Sequence, residues 1–255
     1  MKILFSVVIP CFNSELTVES AINSAIFQTY KPFEIIIVDD ASKDKTTEIV
    51  RGLIDKFHNN VAIKLVISSV NQGPGISRNI GWDSARGDFV AFLDSDDQWD
   101  CNKLKTLSHL ISVFPRIEVV GHSNSVSELF RFKTVSYYYL VFRNFTITPN
   151  LIVKRLIETR YSSTIRYAED HDFVIRLAEK YSVFFLDGVN IPTTLGRVPL
   201  TVGGLSGHRL SMRLGEIAMY FNIIKRNKFM ILLLIVILPV FLLKICKDVY
   251  RALSS

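Results

Sequence analysis

Phe89-Val90-Ala91-Phe92-Leu93-Asp94-Ser95-Asp96-Asp97 sets five apolar residues directly before three acids. The apolar run has the length and composition of a short buried strand, so the acids sit at its C-terminal end. In open α/β sheets, ligands collect in the crevice outside those strand ends. Carboxylates this close repel, and each raises the pKa of the others unless positive charge is brought in. A hard divalent cation bound by oxygens supplies that charge and leaves room for substrate phosphates. A solvated acidic turn is the plainer alternative for the segment taken alone.

Working outward, the same strand-like signal recurs upstream. Ile3–Pro10, Phe33–Val38 and Val61–Ile67 are apolar runs, and segments with helical periodicity separate them: Ser14–Gln28, Thr46–Phe57 and Ser77–Ala85. Near-continuous apolar strands alternating with helices predict a mostly parallel central sheet covered on both faces. Beyond Trp99 the pattern loosens. Helices are expected at Lys103–Phe114, Glu169–Tyr181 and Arg209–Arg226, and strands at Ile117–Gly121 and Ser182–Leu186. Residues 188–207 read as a loop, and 125–165 carry no clear periodicity.

The whole chain has 255 residues and a net charge of +6. Residues 1–100 hold 9 Lys and Arg against 14 Asp and Glu, whereas 101–255 hold 21 against 10. The basic half suits anionic lipid or an anionic substrate. A nucleic-acid partner is not expected, because no recognition motif accompanies the charge. Cys11, Cys101 and Cys246 are odd in number and widely spaced, which fits free thiols in a reducing compartment. The N-terminal apolar run is short and stopped by Pro10, so it reads as a strand and not as a signal peptide.

Phe229–Leu243 are fifteen uninterrupted apolar residues, with Lys225, Arg226 and Lys228 before them and Lys244, Lys247 and Arg251 after. Fifteen falls short of the roughly 20 residues that span a bilayer. A tilted span and a helix lying in the interface both remain open, and a buried soluble helix is the third reading. The expected organisation is a domain over 1–207, with a nucleotide-sugar half to residue 100 and an acceptor half from 101. A basic and apolar membrane-associating helical segment follows over 208–255.

Four polar segments stand out: Asp39-Asp40 after the second strand, Asn71-Gln72-Gly73-Pro74-Gly75-Ile76-Ser77-Arg78-Asn79-Ile80-Gly81 after the third, Asp94-Ser95-Asp96-Asp97 after the fourth, and Glu169-Asp170 opening a later helix. Together with Val8-Ile9-Pro10-Cys11-Phe12-Asn13 and Tyr167-Ala168-Glu169-Asp170-His171-Asp172-Phe173, they resemble the family 2 glycosyltransferases of the GT-A fold. The glycine-rich segment is not a dinucleotide fingerprint, because Arg78 stands where that fingerprint needs Gly or Ala.

The resemblance implies an inverting transfer of sugar from a nucleoside-diphosphate donor, expected to be UDP-linked. The acceptor is expected to be a hydroxyl of a lipid-linked or membrane-proximal glycan, in assembly of a bacterial surface polysaccharide. It implies Mn2+ or Mg2+ held by Asp97 and Asp96, with Asp96 also near the ribose. Pro10, Asn13, Asp40 and Arg78 are expected to bind the nucleotide sugar, Asp40 through its base. Asp170 matches the family's general base, with Glu169 orienting it. The expected location is the cytoplasmic face of the cell membrane.

Plainer roles exist for each residue. Asp39 or Asp40 can cap a helix, Arg78 can pair with a nearby acid, and Glu169, Asp170 and Asp172 suit a helix first turn. Trp99 fits the acceptor side or the core equally well. A polyprenyl-phosphate sugar synthase, a metal-dependent nucleotidyltransferase or phosphatase, and a non-catalytic membrane-surface scaffold are the rival functions.

Overall fold

A strand that is apolar at every position needs cover on both faces. Phe5–Cys11 (β1) and Glu34–Asp39 (β2) are buried throughout. Successive side chains of a strand point to opposite faces. Val7, Ile9, Ile35 and Ile37 accordingly enter one core, with Val18, Ile22, Leu53 and Leu107; Val8, Ile36 and Val38 enter a second, with Trp82, Phe92 and Phe173.

A computed structural model describes residues 2–124, 131–143, 148–187, 193–194, 209–233 and 239. The remaining strands are Ala62–Ile67 (β3), Phe89–Phe92 (β4), Gln98–Trp99 (β5), Val119–His122 (β6), Arg131–Val135 (β7), Leu151–Lys154 (β8), Val183–Asp187 (β9) and Thr193–Thr194 (β10). Eight of them form one sheet in the order β3-β2-β1-β4-β8-β6-β9-β7, and β5 pairs with β10 separately. β3, β2, β1 and β4 run parallel, as does β6 with β9, while β8 is antiparallel to both neighbours and β7 is antiparallel to β9. The sheet is therefore parallel in its first half and mixed in its second.

The helices are Val18–Ile26 (α1), Thr46–Phe57 (α2), Pro74–Asp83 (α3), Lys103–Val113 (α4), Tyr137–Phe142 (α5), Glu169–Ala178 (α6) and Arg209–Arg226 (α7). α1 starts four residues later than its periodicity predicts, because the Ser14 carbonyl first closes a turn by accepting from Thr17 and Val18 N–H. α3 starts three residues earlier. Pro74 needs no hydrogen-bond partner at a first helical position, and Gly73 reaches it through φ +90°. Gly81 lets α3 lie on the sheet: a Cβ there would collide with Val8 and come within 3.2 Å of Val38.

The stretch without legible periodicity contains β7, α5 and β8. β8 lies between β4 and β6, far from it in sequence, so tertiary pairing and not local pattern defines it. The expected loop at 188–207 lies outside the described residues except for β10. Most of the apolar tail also lies outside them; Lys228–Leu233, at its start, is a 3-10 turn, and Pro239 within the tail is helical. Among the described residues no helix is long and apolar enough to cross a membrane.

Candidate active site

β1 leads through α1 to β2 on one side of the sheet, and β4 pairs on the other side of β1. The strand order reverses there, and parallel sheets open a crevice at such a point. A cleft of about 870 Å³ occupies it, lined by Pro10 to Thr17, Asp40, Lys43, Asn71, Gly73, Arg78, Asp94, Ser95, Asp96, Arg166, Tyr167 and Glu169 among others. Three non-glycine residues with positive φ surround it: Asn13 (49°), Ala41 (64°) and Ala168 (58°). Such conformations cost energy and concentrate where a site demands a particular geometry.

Asp39 and Asp40 diverge at the end of β2. Asp39 turns toward α2, accepting from Ser42 N–H at 2.9 Å and from the Thr47 hydroxyl. Asp40 faces the cleft, and its buried carboxylate accepts from Gln72 N–H at 2.9 Å and Gly73 N–H at 2.7 Å. It thereby fixes the glycine-rich loop. Asn13, expected at the nucleotide, pins the loop after β2 by accepting from Lys43 N–H at 2.9 Å while its own N–H donates to the Ser42 hydroxyl.

Arg78 points inward from α3 to the acids of two other motifs. Its guanidinium donates to Asp94 at 2.7 Å and to Glu169 at 3.2 Å, and it lies 5.3 Å from the centre of the Tyr161 ring. Arg78 is the cation that gathers the β4 acids and the start of α6 into one site. Burial raises the Glu169 carboxyl above the ordinary range; the Arg78 charge opposes this and the Asp170 charge adds to it. Asp170 sits beside it, accepts from His171 N–H at 2.7 Å, and does not line the cleft. Asp172 is buried and pairs with Arg176 at 2.7 Å, a structural role.

After β4 the chain turns tightly, with Asp97 N–H donating to the Asp94 carbonyl at 3.1 Å and the Ser95 and Ser14 hydroxyls 2.8 Å apart. Asp96 is exposed at the cleft mouth. Desolvation by the cleft walls and then the Asp94 charge raise its carboxyl, and the Arg78 charge opposes them. Asp97 is buried and lies outside the cleft lining. Among the described residues no three His, Cys, Asp or Glu side chains form a ready metal cage. The donor set suits a cation that takes part of its coordination from substrate phosphates.

Sequence reasoning did not single out several residues of the site. Lys43 and Arg166 add cationic side chains to the cleft, and Arg166 donates to Asn71 at 2.6 Å across its mouth. Behind the Asp94–Asp97 turn, Lys103 is fully buried. Its ammonium donates to the Pro149 carbonyl at 2.6 Å and the Thr193 hydroxyl at 3.0 Å, and stands 4.6 Å from the centre of the Trp99 ring. Trp99 is a core residue, donating to the same Pro149 carbonyl at 3.1 Å. A lysine at the start of a helix reads in sequence as a solvated charge; in the structure Trp99 of β5, Thr193 of β10 and Pro149 and Asn150 enclose it.

The sequence profile of glycosyl transferase family 2 matches residues 6–168, more than half of the chain. The chain belongs to glycosyl transferase family 2. Among its relatives, the amylovoran biosynthesis glycosyltransferase AmsB of Erwinia amylovora is 28% identical over 204 residues, covering 72% of this chain and 66% of AmsB. The UDP-Glc:alpha-D-GlcNAc-diphosphoundecaprenol beta-1,3-glucosyltransferase WfgD of Escherichia coli is 32% identical over 140 residues, covering 52% of this chain and 53% of WfgD. The matches span from about a third to two thirds of the length of the first curated relatives.

Staphylococcus aureus TarS in complex with UDP superposes with a TM-score of 0.58 at 24% identity, covering 72% of this chain and 60% of that one. The mannosyltransferase PcManGT of Pyrobaculum calidifontis, in complex with GDP-Man and Mn2+, gives 0.66 at 19% identity, covering 88% and 65%. The fold of this family 2 chain is thus the GT-A-like α/β architecture that the motifs imply.

Proposed function

We propose that this chain is an inverting, metal-dependent glycosyltransferase. It moves a sugar from a nucleoside-diphosphate donor, UDP-linked as the first choice, to a hydroxyl of a lipid-linked or membrane-proximal glycan in bacterial surface polysaccharide assembly. The observation that carries the reading is the convergence of Asp40, Arg78, Asp94, Asp96 and Glu169, from four separate motifs, on one cleft at the strand ends. The names of AmsB and WfgD support the polysaccharide and lipid-linked acceptor.

In this reading Pro10, Asn13 and Asp40 face the nucleotide, and Arg78, Lys43 and Arg166 provide the positive field for its phosphates. Asp96 and Asp97 would hold Mn2+ or Mg2+, which when bound neutralises the charge that builds on the leaving diphosphate. Asp170 takes the acceptor hydroxyl proton as that oxygen bonds to the sugar carbon and the bond from carbon to phosphate oxygen breaks. Glu169, tied to Arg78, holds the first turn of α6 against the donor loop. The basic tail segment over 208–255 keeps the enzyme at the cytoplasmic face of the cell membrane.

The test is nucleoside-diphosphate release from a panel of UDP-, GDP- and dTDP-sugars with Mn2+ or Mg2+, comparing wild type with Asp96→Ala, Asp97→Ala and Asp170→Asn. Metal-dependent release from one donor, lost in the variants, is the expected result. No release, together with no metal-dependent thermal stabilisation by any of the nucleotides, refutes it.

A further inference from the structure

α7 carries two apolar faces on opposite sides. One is seated: Met219 and Ile223 are buried in the core shared with α5 and α6, and at Gly215 the helix backbone presses on the Tyr167 carbonyl. Arg226 adds an anchor by donating to Glu179 at 2.9 Å. The other face is open. Leu214, Ile217 and Phe221 are 59%, 48% and 58% exposed. At 100° per residue they fall within one narrow stripe, opposite Gly215 and Met219. A helix hydrophobic on both sides requires a second apolar environment.

Charge and continuity identify that environment. No acidic residue occurs from Ile217 to Lys247, whereas Lys225, Arg226, Lys228, Lys244 and Lys247 all lie in that interval. Lys225 and Lys228 are exposed at the end of the stripe, and the Lys225 ammonium stands 4.7 Å from the Phe221 ring centre. The next turn exposes Ile231 and Leu232, and the sequence then continues apolar to Leu243. Apolar and aromatic side chains with a purely basic border suit the interface of an anionic bilayer.

We propose that the Leu214, Ile217 and Phe221 stripe of α7 is a lipid-contact face lying in the interface of an anionic membrane. It extends membrane contact from the apolar tail into the folded domain. α7 rests on Tyr167, which lines the cleft, so this contact would hold the cleft-bearing domain at the bilayer surface, where a lipid-linked acceptor lies. That consequence rests on the transferase reading above, while the lipid contact itself does not.

The test uses the full chain with phosphatidylcholine vesicles, with and without phosphatidylglycerol. A Phe221→Trp variant reports the contact directly, because Trp82 and Trp99 are buried. Its emission should shift to the blue on phosphatidylglycerol vesicles and be quenched by brominated lipid. The triple variant Leu214→Gln, Ile217→Gln, Phe221→Gln should partition about 100-fold more weakly, the loss expected when three half-exposed apolar side chains no longer enter lipid. An unquenched introduced tryptophan, or unchanged partitioning of the triple variant, overturns the proposal. Thermal stabilisation by UDP and Mn2+ on the same samples separates the two ideas: its loss from wild type as well would count against the transferase reading and leave the lipid contact standing.

Discussion

Replacing Arg78 with Met tests the central electrostatic claim about the cleft. The Arg78 side chain is 5% exposed and lies between Asp94, 27% exposed, and Glu169, 12% exposed. Met keeps most of the volume and removes the charge, leaving two partly desolvated acids facing each other. Removing one partner of a buried ion pair costs about 3–5 kcal/mol. Asp94 can recover some hydration and Glu169 little, so the expected loss is near the lower end, about 3 kcal/mol at neutral pH.

The pH dependence has a defined sign. Without Arg78 the Glu169 carboxyl loses its main lowering influence and rises further above its unfolded value. A group with a raised folded pKa contributes stability at acid pH that is lost as pH rises through that pKa. The deficit of the variant should therefore shrink on mild acidification. Arg78→Lys, a point charge able to reach one acid well, should recover roughly half of the loss. Urea unfolding of the three proteins at neutral and mildly acidic pH measures this. A deficit below about 1 kcal/mol, or one that acidification leaves unchanged, would refute the bridging role.

Asp40→Asn leaves one acceptor oxygen where the carboxylate serves two backbone N–H groups. Charge-assisted hydrogen bonds contribute about 1.5–3 kcal/mol each, so a stability loss of about 2 kcal/mol is expected, with weaker donor binding as the glycine-rich loop loosens; calorimetry in the presence and absence of nucleotide reads both. Burial pushes the Lys103 ammonium well below the ordinary lysine range, against a smaller opposing pull from Asp97. The folded chain then holds this proton less tightly than the unfolded chain, so wild-type stability rises as pH approaches the ordinary lysine value. Lys103→Met removes that slope, and its stability relative to wild type should be most favourable at acid pH. Equal slopes in urea titrations of the two proteins would show that Lys103 stays charged when folded.

The first half of the fold is legible because its signals are local. Val7 to Ile9 and Ile35 to Val38 are apolar without a break, which requires two covered faces, and α2 shows its period within a dozen residues. The second half depends on distant pairing. β8 joins β4 to β6, and the two-residue strands β5 and β10 exist only because they meet across more than ninety positions. No periodicity can develop in two residues, so β10 was hidden in a stretch that reads as a loop, and the short β7 and β8 left 125–165 without a legible pattern.

The same division runs through the cleft. The ends of apolar runs marked Asp39-Asp40 and Asp94-Ser95-Asp96-Asp97, because acids at the ends of buried strands are costly unless they bind something, whereas the roles of Asp40, Arg78 and Glu169-Asp170 were implied by the resemblance of their motifs. Their orientation was decided in three dimensions. Asp39 turns to α2 while Asp40 turns to the loop, Glu169 enters the cleft beside Arg78, and Asp97 is buried behind Asp96. Neighbouring residues on a turn point in different directions, and which one meets the cleft depends on backbone dihedrals such as those of Ala41 and Ala168. Sequence determined which charges had to be neutralised; the tertiary structure determined which group neutralises each, because opposite charges pair across space between segments that the chain places far apart.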